Sequence, residues 1–284
     1  MRGNLRTLQV LVIFIALFAG FAALMGLFYK DGSGSFEFTS LQGKKVLISG
    51  TGLYKNMSAD VAIQGQAQDV ITLMVAIPFV LLFALGNFKN QLRQSLILSG
   101  TLGYFLITYT FYLNMAAYNI LFLVYAALMG LSFFSFYISV KEINKQQLYQ
   151  KLHEVRPAFS GWILMIIPVM IGLLWLNIVV PPLIDGSVYP DSLQHYTTLI
   201  VQGNDLGMAL PISLIVGILY MKRKHEGLLY APVYLIFLSF LMLALIAKII
   251  GMSTTGVSVG PPLVIIPVFW LISLTGAIMI LKKC

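Results

Sequence analysis

Apolar runs recur along this chain at short intervals, each about as long as a helix needs to cross the roughly 30 Å hydrocarbon core of a bilayer. Eight are read, at 8–28, 68–87, 94–113, 117–139, 161–181, 198–221, 228–251 and 263–281. Inside lipid no water is available to backbone N–H and C=O groups, so only helices and closed barrels can span. The short alternating segments of a membrane barrel are missing from the sequence, which leaves helices. Only 10% of the residues are charged, against about 25% in a soluble domain. Most of the surface therefore faces lipid. The predicted fold class is all-α: a polytopic integral membrane bundle of about eight transmembrane helices.

Lysine and arginine orient it. With the N-terminus inside, every basic residue except Lys30, Lys44, Lys45, Lys55 and Lys248 falls on the cytoplasmic side, as cytoplasmic loops require. The first four of those sit in the first outer loop and Lys248 lies within a span. Both termini are then cytoplasmic. The net charge of +8 is read as topology and contact with anionic membrane lipids, and nucleic acid is excluded as a partner. Arg2 and Arg6 ahead of an apolar stretch resemble a signal peptide. That stretch, at about 22 residues, exceeds a typical signal core, so an uncleaved anchor is expected.

The outer loop at 29–67 is the one sizeable aqueous segment. Its β-prone FEFTSL and KKVLISG, separated by Gln-Gly, predict a small hairpin.

Two stretches resemble each other. GLYKNMSADVAIQGQAQD (52–69) and GSVYPDSLQHYTTLIVQGND (186–205) each begin with glycine and a nearby tyrosine and close on Gln-x-[Gln/Asn]-Asp. Tyr54 lies 15 residues before Asp69 and Tyr189 lies 16 before Asp205. A helix with one proline follows each, Pro78 or Pro211. The expectation is two four-helix parallel repeats, 1–140 and 161–284, joined by a cytoplasmic linker at 141–160. Repeats of this kind recur in transporters.

Asp69, Asp205 and Lys248 are ionisable residues within spans. At 1.5 Å per helical residue, Asp69 lies about 27 Å and Asp205 about 25 Å from the inner edge, which puts both near the outer boundary. One reading makes the aspartates caps at the outer helix ends, with Lys248 snorkelling outward; a plain structural ion pair is another. The sharper reading is an outward-facing polar site between the halves. Asp69 and Asp205 face each other there, Gln66, Gln202 and Asn204 supply neutral donors and acceptors, and Lys248 neutralises one carboxylate. Ionisable residues within a membrane mark functional sites by default. Such a site would take a small solute or an ion.

His153, His195 and His225 do not pair at ligand spacing, and Cys284 is the single cysteine, so no metal or cofactor is expected. P-loop and HExxH signatures are missing from the sequence.

The segments GLY…QAQDVITL…P, HYTTLIVQGNDLGMALP and LLYAPVYLIFLSFLMLALIAK resemble a group of uncharacterised bacterial multi-pass membrane proteins without an assigned activity. The resemblance runs from Gly52 over most of the chain. It implies the cytoplasmic membrane of a prokaryote and brings no functional residue with it. Transport or permeation of a small solute or ion is the leading expectation. The alternatives are a non-catalytic partner or sensor that works through the first outer loop, and a membrane enzyme acting on lipid.

Overall fold

The structure, a computed structural model, describes residues 2–114, 117–153, 155–254 and 260–284. Met115 and Ala116 of the turn expected at 114–117, and Glu154 of the expected linker, lie outside the described residues.

Eight helices are long and apolar enough to span: Asn4–Phe28, Ala59–Leu85, Gln91–Asn114, Phe122–Lys141, Ala158–Ile184, Ile200–Met221, His225–Thr254 and Pro262–Lys283. They are called here the first to the eighth span. The largest departure from the sequence expectation is the second span, which begins at Ala59 rather than near residue 68. Hydropathy misses its first turns because they carry Asp60, Gln64, Gln66 and Gln68. Helix length is set by the backbone ladder, and Asp60, Gln64 and Gln68 find partners inside the fold.

The first span is an integral part of the bundle: Val12, Ile15 and Ala19 are fully buried. It packs on the second and fourth spans, and the third packs on both of those, so the first four close a ring. The last four do the same, with the fifth against the sixth and eighth and the seventh against both of those. The rings meet where the seventh span lies against the second and third. The third and seventh are accordingly the most buried, at 61% and 56%. The fifth and eighth, each 22% buried, offer apolar faces to lipid.

Close approach at the centre depends on small residues, as helix pairs in lipid do. A Cβ on Gly100 of the third span would stand 2.5 Å from Ile236 Cβ and 2.9 Å from the Val233 carbonyl of the seventh.

The second and sixth spans share an interruption. Each carries a five-residue π-turn, Thr72–Ala76 and Asp205–Ala209, and each resumes α-helical geometry with a proline at its second residue, Pro78 or Pro211. Proline cannot donate to the turn before it, and a π-turn accommodates that break.

The predicted hairpin forms. β1 (Phe36–Thr39) pairs antiparallel with β2 (Lys45–Ile48), Phe36 opposite Ile48 and Thr39 opposite Lys45. The hairpin and the chain that leads from it into the second span are tied to the 191–196 segment that precedes the sixth span. Lys44 pairs with Asp191, Gln194 donates to Asp60 at 2.9 Å, and His195 meets the Asn56 carbonyl at 3.1 Å. The opposite end of the bundle holds a short helix that was not foreseen, Lys145–His153, seated by Leu148 and Leu152 one turn apart.

Candidate functional site

Asp69 sits ten residues into its helix, about 15 Å from the end at the helical rise, and is 4% exposed. It caps nothing. Tyr54 of the preceding loop donates to its Oδ2 at 2.6 Å, and Tyr112 of the third span donates to its Oδ1 at 3.0 Å. Both oxygens are thus held by neutral phenols, the usual condition for a polar group withdrawn from water. The first span packs directly over this carboxylate at Gly26, where a Cβ would overlap Asp69 and stand 2.9 Å from the Tyr54 hydroxyl. Tyr54 itself is buried, and that burial pushes its hydroxyl well above the ordinary phenol range, with the Asp69 charge acting the same way.

One turn of helix repeats every three to four residues, so Gln64, Gln68 and Thr72 share a face adjacent to Asp69. Gln68 donates to the Tyr104 hydroxyl at 2.5 Å, and Thr72 lies 3.2 Å from the same hydroxyl. A cluster of tyrosines continues the wall: Tyr112 packs against Tyr125 with ring centres 5.2 Å apart.

Asp205 opens the π-turn of the sixth span. Its Oδ2 accepts the indole N–H of Trp175, on the fifth span, at 2.9 Å. Tyr234 of the seventh span donates to the Ala209 carbonyl at 2.6 Å at the far end of that turn. Lys248, also on the seventh span, closes no ion pair of 4 Å with either carboxylate.

These elements enclose a cavity of about 280 Å³ where the two rings meet. Gln64, Gln68 and Tyr112 form part of one side; Trp175, Asp205, Ser213 and Lys248 form part of the other. The rest is mostly aliphatic and aromatic, including Ile107, Phe111, Leu241 and Leu245.

Of the residues singled out in the sequence, Asp205 and Lys248 line this cavity. Asp69 stands one layer back, behind Tyr54 and Tyr112, which do line it. Gln66, Gln202 and Asn204 are not part of the wall. Asn204 donates instead to the Ile200 carbonyl of its own helix, at 2.9 Å. Gln68, Tyr112 and Trp175 belong to the site and were not singled out for it. For Gln68 a signal existed, since it adjoins Asp69 in the repeated motif. The paired tyrosines of the two similar stretches do not play matching roles. Tyr54 holds Asp69, whereas Tyr189 is 51% exposed and Trp175 serves Asp205.

Eight apolar helices around a sparsely polar cavity define an α-helical multi-pass membrane protein. Among known proteins the chain matches no family model, no curated sequence and no solved structure.

Proposed function

We propose that this protein passes or carries a small solute or ion, using the cavity between its two helical rings as the binding place. Asp205 and Lys248 form its charged wall, and Asp69 stiffens the second span behind it. The observation that carries this reading is the placement of opposite charges on one cavity within spans, where ionisable groups are otherwise excluded. Paired π-turns beside the cavity support it, because such turns gather at functional sites.

The same reading takes the rings as two copies of a four-helix unit in parallel orientation. Their identical packing order and the shared succession of π-turn and proline favour it. Both termini are placed on the cytoplasmic side, with the hairpin outside, on the strength of the basic residues at the end opposite the hairpin. A prokaryotic cytoplasmic membrane rests on the family resemblance.

The test uses a protein in which Trp162→Phe and Trp270→Phe leave Trp175 as the only tryptophan, reconstituted in liposomes. Added acrylamide, a small neutral quencher, is expected to reach Trp175. Enlarging the wall with Leu241→Phe and Leu245→Phe is expected to reduce that access. Osmotic swelling of the same liposomes in a panel of small polar solutes then reports passage. Unquenched Trp175, or quenching untouched by the filled wall, would overturn the cavity as a binding place.

A further inference from the structure

We propose that the cavity takes a small zwitterion with an apolar body, its cationic group meeting Asp205 and its anionic group meeting Lys248. This rests on the cavity being open to solutes, as proposed above.

The two side chains stand on neighbouring spans and line the same cavity, yet they do not close an ion pair. Each has bonding capacity to spare. Asp205 uses Oδ2 for Trp175, and among the described residues no donor reaches its Oδ1. Lys248 carries three N–H donors, and among the described residues no acceptor lies within hydrogen-bonding distance of them. Asp69 is the contrast: both of its oxygens are engaged by tyrosines, so it offers a ligand little.

Withdrawing a charge from water is costly unless a partner of opposite sign compensates it. A simple cation would satisfy Asp205 and leave Lys248 alone; a simple anion would do the reverse. One molecule bearing both charges answers both and adds no net charge to a low-dielectric site. The remaining wall carries neutral polar groups, Gln64, Gln68, Tyr112 and Ser213, but no further charge, and is mostly apolar, with Ile107, Phe111 and Leu241, which favours an apolar body. At about 280 Å³ the cavity lies just below the roughly 300–1,000 Å³ range of ligand sites. A molecule the size of leucine suits it.

The experiment titrates leucine, N-acetyl-leucine and leucinamide into the single-tryptophan protein in nanodiscs, following Trp175 emission. Leucine keeps both charges, and each analogue lacks one. Leucine is expected to give a saturable change, with half-saturation at least about tenfold below either analogue, since each loses one charge-assisted contact. Asp205→Asn and Lys248→Met should each remove that preference, while Asp205→Glu and Lys248→Arg keep a saturable response and show that the fold survives. Equal responses to leucine and to one analogue would overturn the zwitterion assignment. So would silence to leucine while acrylamide still quenches Trp175, a result that leaves the open cavity standing. Loss of acrylamide access would instead remove the reading beneath it.

Discussion

Tyr54 reaches from the loop ahead of the second span into the bundle and donates its hydroxyl to Asp69 Oδ2 at 2.6 Å. With Tyr112 on the other oxygen at 3.0 Å, one carboxylate joins the loop, the second span and the third. Removing one partner of a buried polar group costs about 1–3 kcal/mol, and more where the group is charged. Tyr54→Phe is expected to lower the unfolding midpoint in detergent by a corresponding amount. In an Asp69→Asn background the loss should shrink, and equal losses in both backgrounds would show that the bond contributes nothing.

Gly26 and Asp69 make a second test. The first span approaches the carboxylate so closely that an added methyl has no room. Gly26→Ala is expected to destabilise by about 1–3 kcal/mol, the usual cost of overpacking. Chemical denaturation of Gly26→Ala beside Gly20→Ala separates crowding from helix propensity, because a Cβ at Gly20 meets only Ile77 Cδ1, at 3.7 Å. Matching losses at the two glycines would refute the contact.

Gly100 tests the seam between the rings. Gly100→Ala drives a methyl into Ile236 and should lower thermal stability. Gly130 of the fourth span has nothing within 4 Å of a built Cβ, so Gly130→Ala is expected to be neutral or, by helix propensity, stabilising by about 1 kcal/mol at most. The reverse ranking in a melting experiment would mean that the third and seventh spans do not meet at this point.

At the hairpin end, Asp31 accepts from the Lys55 ammonium at 2.6 Å and from the Gly32 N–H at 2.8 Å. These bonds hold its carboxyl below the ordinary value of 3.8, the lysine contributing most. The folded value is below the unfolded one. The stabilising contribution is therefore complete above the ordinary value and is lost as pH falls through the lower, folded one. The carboxyl resonance of Asp31 is expected to titrate below 3.8, and Lys55→Met should move it back up. A resonance already at or above the ordinary value in the parent protein would contradict the pairing.

The span count and the hairpin were legible because each is a local property. A helix in lipid must carry its own backbone bonds and an apolar surface, and the run of residues reveals both. Asp205 and Lys248 were legible for a related reason, as charges in places where lipid does not accept them. The extra turns of the second span were hidden, since Asp60 and Gln64 read as loop until Gln194, the helix's own backbone and the cavity account for them.

By itself, then, the sequence determined a membrane protein with eight crossings, the hairpin, and which polar residues must be reconciled with a bilayer. Only the tertiary structure decided who reconciles them. Asp69 could be read as a cap or as a cavity ligand, until two tyrosines, one of them 43 residues away in sequence, closed on both its oxygens. Tyr189 occupies the sequence position that mirrors Tyr54, yet the indole of Trp175, 30 residues from Asp205, takes the role. The physical reason is the range of the forces. Transfer into lipid acts on each segment alone and is written in composition. Hydrogen bonds and cavities form between segments, and their geometry exists only once the helices have packed.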